Sequence, residues 1–228
     1  RGLADVYKRQ AYVGACTLAE NRFLELVEEH GASTLDRYLA ELLDYTERLA
    51  RAEITAMPDG KYYFEDKLDD DGVNLEKKVT IRLTITVDGD ELVYDFDGTD
   101  PQVASSMNNP LGSTRSAVVT AVRSMMGGDV PRNGGAWRPV TLNVPVGSLL
   151  NPQFPAPVAS RGGTAQRLSD VLLGCQCQIR PERMLACSSG VDTLLNIAGT
   201  DANGDRFILT ECCWGGWGGR NTLSLIHI

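Results

Sequence analysis

Histidine is almost missing from this chain. There are two in 228 residues, His30 and His227. A serine or cysteine nucleophile usually needs an imidazole beside it as base. No Gly-x-Ser-x-Gly turn surrounds Ser188 or Ser189 either, so hydrolase chemistry of that kind is set aside. A Cys-x-x-Cys pair, the common opening of a zinc site, is also lacking. The six cysteines are Cys16, Cys175, Cys177, Cys187, Cys212 and Cys213. Their spacing suits no disulfide framework, and they read as reduced thiols of a cytoplasmic protein, with Cys175 and Cys177 buried and inert. No apolar run approaches the roughly 20 residues that cross a bilayer, and no secretory leader is visible. Basic residues are the minority, 22 against 30 acidic, for a net charge of −8 and a pI near 4.8. Such a surface repels nucleic acid and anionic lipid, which argues against both as partners.

What remains is ordinary for a globular chain. Hydrophobic residues make up 43% and charged residues 23%, a balance that favours a folded core over disorder. The length suffices for one domain or two small ones. Residues 1–12 and 221–228 carry no pattern continuous with their neighbours and read as non-native ends. Between them lie a helical segment over residues 13–60 and an α+β region over 61–220.

The periodicity predicts a helix over residues 17–29, stopped by Gly31. A second runs from a cap at Ser33 or Thr34 to about residue 54, and the two are expected to pack as an antiparallel pair. Val79, Ile81, Leu83, Ile85 and Val87 alternate with Thr80, Arg82, Thr84 and Thr86, the pattern of a half-buried strand. Asp88-Gly89 turns it into a partner strand over 91–97. A short strand over 62–64, a helix over 113–126 capped by Ser113, a short strand over 140–144, a helix over 164–179 and a buried strand over 207–212 complete the outline. The fold class is α+β: an N-terminal helical pair, an antiparallel hairpin or sheet with packed helices, and long Gly/Pro-rich loops.

Several clusters invite chemistry. Asp69-Asp70-Asp71-Gly72 fails as a calcium loop, because Lys67 and Lys78 fall where oxygen ligands are needed. It reads as a solvated turn. Asp95 and Asp97, two apart on a strand, share a face and could hold a metal or a proton, or could form a polar outer face ending at Gly98. The glycines at 215–219 lack the Lys-Ser/Thr of a phosphate loop, so ATP binding by this chain alone is not expected. Glu211 ends a strand beside them. Arg161 precedes a helix whose free amides favour an anion, or it pairs with Asp170 on the surface.

The motifs that go further are Asp95-Phe96-Asp97-Gly98-Thr99, Asn108-Asn109-Pro110, Asp129-Val130-Pro131-Arg132-Asn133-Gly134-Gly135, and Pro145-Val146-Gly147-Ser148-Leu149-Leu150-Asn151-Pro152. Residues 161–170, Pro181-Glu182-Arg183 and Glu211 with its glycines continue the series. In this order they resemble the hydantoinase B/5-oxoprolinase family over about residues 17–219. The resemblance implies the B component of an ATP-dependent cyclic-amide hydrolase that opens hydantoin or 5-oxoproline rings. Such a component acts with a hydantoinase A-like partner that binds ATP and phosphorylates the amide oxygen, and the B component then supports attack by water. It also implies that B components are much longer and carry metal-ligating His and Asp residues in an N-terminal part. This sequence has no such cluster. It therefore reads as an internal fragment with no metal site of its own and no activity alone, the divalent metal belonging to the missing part. On the motif positions, Asp95, Asp97 and Glu211 become candidate catalytic acids. Asn108, Asn133, Arg161 and Asp170 become candidates for positioning the small cyclic amide or its phosphorylated form. An acetone-carboxylase-type subunit, or an assembly subunit that docks its partner through residues 127–157, remain alternatives.

Overall fold

The computed structural model describes residues 2–187, 189–190, 192–214 and 218–219. The alternating stretch forms β2 (Val79–Asp88), with Ile81, Leu83, Ile85 and Val87 buried and Arg82, Thr84 and Thr86 on the half-exposed face. β3 (Glu91–Asp95) returns antiparallel through a two-residue turn, in which Gly89 sits at φ 60. β-Branched and apolar residues at period two hold this register, since a slip of one residue would turn the whole apolar set outward. β1 (Gly60–Leu68) pairs with the other edge of β2 and brings Tyr62 and Phe64 onto the same face. β4 (Val140–Asn143) adds parallel to β3, giving the order β1-β2-β3-β4.

A parallel neighbour needs a crossover. Here the crossover contains α3 (Leu111–Met125), whose Val118, Ala121, Val122 and Met125 are buried. α4 (Arg161–Gln176) lies against β1 and β2 and buries Leu168, Val171, Leu172 and Cys175. With Ile81, Leu83, Ile85, Leu92, Tyr94 and Phe96 these residues form one core. Each large side chain there contributes about 1.5–3 kcal/mol of burial. The approach of α4 depends on Gly174, where an added Cβ would stand 2.7 Å from the Phe64 ring.

α2 (Ala32–Thr55) joins this body only through its C-terminal half, where Thr46, Ala50 and Ile54 are buried. That half packs on a 3-10 turn, Gly134–Trp137. Gly135 is obligatory there, because a Cβ would collide with the Leu43 carbonyl oxygen. Arg138 reaches Asp44 at 2.6 Å and Glu47 at 3.0 Å to tie the same contact.

The α+β class and the hairpin are as expected, and several details are corrected. α1 (Gly2–His30) begins well before residue 17. Its first turns carry no apolar period, but Ala, Leu, Lys, Arg and Gln are strong helix formers and no proline interrupts them. α1 does not pack along α2 as an antiparallel partner: every described side chain on it is exposed except the half-buried Val27. α2 follows Gly31 at φ 79, and α3 follows Pro110; neither has a side-chain cap at Ser33, Thr34 or Ser113. The strand at 207–212 lies within β6 (Arg206–Trp214), which pairs only with β5 (Asp192–Thr200). It is not buried: Phe207, Ile208 and Leu209 are exposed, as nothing among the described residues covers the ribbon. Cys177, past the end of α4, is exposed as well.

Gly174→Ala should lower stability by about 1–3 kcal/mol through overpacking on Phe64, despite alanine's preference for helix. Gly163→Ala, in the first turn of the same helix with open space around it, should hold or raise stability by up to about 1 kcal/mol. Urea unfolding midpoints compare the two, and equal shifts would contradict the close packing of α4 on β1.

Candidate functional site

α3 and α4 lie side by side over the sheet, and a groove of about 520 Å³ opens between them. Hydroxyls of Ser116, Thr120 and Ser169 line it beside Leu172 and Leu173, and Ala186 and Gly218 close one end. The backbone closes this end, with the Ala186 N–H donating to the Gly219 carbonyl at 3.0 Å. Asp170 belongs to the wall and is only 2% exposed. A carboxylate so buried needs a cation. Arg167, one turn earlier on α4, stands 3.6 Å from it and bonds Asp66 of β1 at 2.6 Å.

The segment after the second 3-10 turn (Pro181–Arg183) completes this cluster. Gly190, at φ 69, passes so close that an added Cβ would lie 2.9 Å from an Arg167 nitrogen and 3.5 Å from an Asp170 oxygen. The Cys187 thiol is held above its ordinary range, first by burial and then by the negative charges of Asp170 and Asp66. Three distant parts of the chain thus meet around one guanidinium. Cys187 was not among the candidates read from the sequence, whereas Arg167 lies within the 161–170 motif that was singled out there. A signal existed for Asp66, an acid in register with Phe64 and Leu68 on the apolar face of β1.

The seven candidate residues do not converge. Only Asp170 lines this groove, and Asn133 lines another on the far side of α3. Asp95 ends β3 on the polar face of the sheet, and its carboxylate accepts the Asp97 N–H at 3.1 Å. Asp97 therefore lies in a turn, with Gly98 at φ 80, and the two acids are not paired along a strand. Arg82 grips the turn through Asp100 at 3.2 Å and the Gly98 carbonyl. Thr99 exchanges hydrogen bonds with the Arg82 backbone. Asn108 is wholly buried. Its oxygen accepts from Val103 N–H at 2.8 Å, and its amide donates to the carbonyls of Val103, Ser105 and Pro157. Asn133 accepts from Gly135 N–H at 2.8 Å and donates to Thr46 at 2.9 Å. Arg161 is exposed at the first turn of α4. It stands about 13 Å along the helix from Asp170 and about half a turn round from it, so the two do not pair. Glu211 is exposed on β6 opposite Leu195. Of the glycines beyond it, 215–217 lie outside the described residues, as does Ser188.

Among the described residues no group of three or more His, Cys, Asp or Glu side chains could hold a metal ion. The metal implied by the resemblance therefore finds no ligand set among them, and no step is derived through one. No helix among them is long and apolar enough to cross a membrane.

The fold and the groove define an α+β module with a cleft of small-molecule size between two helices. The chain belongs to the hydantoinase B/oxoprolinase family, whose sequence model matches residues 6–224. It is 32% identical over 222 residues to a protein from Pseudomonas sp. named as the B component of a D-/L-hydantoinase. That alignment takes in 92% of this chain and 37% of the relative, so the chain spans little more than a third of that protein. The crystal structure of ATP-dependent caprolactamase from Pseudomonas jessenii superposes with a TM-score of 0.75 at 30% identity, over 86% of this chain and 34% of that one. A nucleotide-free acetone carboxylase superposes with a TM-score of 0.76 at 17% identity, over 90% and 30%. At that identity the likeness is one of fold.

Two outcomes are expected. Burial pushes the Cys175 thiol up to about 12, so native protein treated with iodoacetamide near pH 8 should be alkylated at the exposed Cys16 and Cys177 and spared at Cys175. The raised value also means that the stability this thiol supports is intact below the ordinary thiol range and is lost as pH climbs toward 12. Arg167→Met should destabilise by on the order of 3 kcal/mol, since Asp170 keeps its burial and loses a cation. An unchanged thermal midpoint would show that Asp170 is held by other partners alone.

Proposed function

We propose that this chain is part of the B component of an ATP-dependent cyclic-amide hydrolase and works with a hydantoinase A-like, ATP-binding partner. The observation that carries the reading is the joint likeness, in sequence and in fold, to an ATP-dependent caprolactamase. The relative named as a hydantoinase B component points the same way. The chemistry explains the division of labour. Resonance makes a lactam carbonyl a poor electrophile, and phosphorylation of its oxygen removes that resonance and exposes the carbon to water. The phosphorylating step belongs to the partner, and this chain offers a surface that binds and orients.

Within this reading Asp170 orients the bound amide from the wall of the α3–α4 groove, where an N–H finds an acceptor and hydroxyls of Ser169 and Thr120 stand nearby. The half-buried Asp95 and the exposed Asp97, Glu211 and Arg161 contribute by facing a partner surface. Asn108 and Asn133 act through the loops they brace. Acetone-carboxylase chemistry remains the second reading, favoured only by the shared fold.

The test uses the full-length protein that carries this sequence together with its A-type partner. ADP release is followed with hydantoin, 5-oxoproline, caprolactam and acetone, with and without bicarbonate. We expect release that requires a cyclic amide and ignores bicarbonate. Release only with acetone and bicarbonate would move the chain to the carboxylase branch. Asp170→Asn should lower turnover at least about tenfold while assembly persists. Single changes of Asp97 or Glu211 to the amide should stay within about twofold of wild type.

A further inference from the structure

A second groove, of about 710 Å³, opens on the other side of α3 against the loop that carries the 3-10 turn at Gly134–Trp137. Its walls are apolar, from Val119 and Val122 on the helix, Met126 just past its end, and Trp137. Among the described residues, two arginines, Arg123 and Arg132, are the only charged ones lining it. In a chain of net charge −8, cations would be expected to find acids easily. Glu53 pairs with Arg180 at 3.1 Å, and Asp44 and Glu47 pair with Arg138, while the exposed Asp129, three residues before Arg132, forms no ion pair with either arginine within 4.0 Å. Among the described residues neither Arg123 nor Arg132 has an ion-pair partner within 4.0 Å. Arg123 makes one long hydrogen bond, 3.4 Å to the Gly128 carbonyl, and its other terminal nitrogen is buried without an acceptor. A buried donor in that state is rare and calls for an explanation. Arg132 is exposed at the rim.

We propose that this groove binds a small carboxylate carrying an apolar or aromatic body. The apolar walls and the Trp137 ring take the body. The two guanidinium groups take the carboxylate, whose paired oxygens match the planar fork of arginine. The volume lies in the range of small-ligand sites, and the lining has their usual form, mostly apolar with a few convergent polar groups. A neutral ligand of the same shape gains the walls and leaves the arginines as they were. This assignment uses nothing from the Asp170 end of the other groove and stands apart from the cyclic-amide reading.

The probes are benzoate, its neutral isostere benzamide, and inorganic phosphate, titrated into the folded chain and followed by tryptophan fluorescence and ligand-observed NMR. Benzoate should bind saturably. Benzamide should bind at least about tenfold more weakly, and Arg132→Gln and Arg123→Gln should each cost benzoate about tenfold. Trp137→Leu should weaken both aromatic probes. Arg132 is exposed, so its substitution should leave the fold intact and carries the test if the Arg123→Gln protein does not fold. Benzamide binding as tightly as benzoate, benzoate affinity unchanged in Arg132→Gln, phosphate competing as well as benzoate, or no saturable benzoate binding would each overturn the proposal.

Discussion

Buried backbone must be hydrogen-bonded, and in this protein the backbone most in need lies outside helix and sheet. The connections around α3 run through the interior, where a peptide group left unpaired loses its water without compensation. Asn108 meets much of that need, with one side chain holding the backbone of two separate stretches, at 103–105 and at Pro157. Asn109 extends the brace: its amide bonds Thr114, whose hydroxyl donates to the Leu150 carbonyl. An amide side chain offers two donor hydrogens and an acceptor oxygen together. Once these loops are fixed, α3 has a defined seat, and both grooves beside it acquire their shape.

The same constraint gives several of the quoted motifs a structural role in this chain. Asp95-Phe96-Asp97-Gly98-Thr99 is a turn whose acid caps its own backbone, whose phenylalanine anchors in the core and whose threonine locks onto β2. Asn133 caps a 3-10 turn and clasps α2. Gly147 at φ 80 turns the chain so that Leu149 and Leu150 enter the core. These residues brace the fold, and they lie apart from the α3–α4 groove.

The charged cluster at that groove follows a different logic. Asp66 points from the apolar face of β1, and Asp170 is buried in α4. Asp170, 2% exposed, would be costly alone, while Asp66 is partly solvated. Arg167 between them pairs with both, and Gly190 is the residue that leaves room for it. A binding surface with one fixed charge pattern results, supported by rigid elements on two sides.

How much of this was legible varied with the range of the interaction. The β2–β3 hairpin, α3, α4 and β4 were visible because alternation, helical period and turn residues act over a few positions. Exposure of α1, of β6 and of Cys177 was not visible, since an apolar pattern does not say whether a partner surface exists. The sequence by itself determined the local elements, the family and the residue types available for chemistry. Only the tertiary structure decided which of those residues meet, because Asp66 on β1, the Arg167–Asp170 turn of α4 and the Cys187–Gly190 segment are separate pieces of chain, joined by packing and charge that no local pattern encodes.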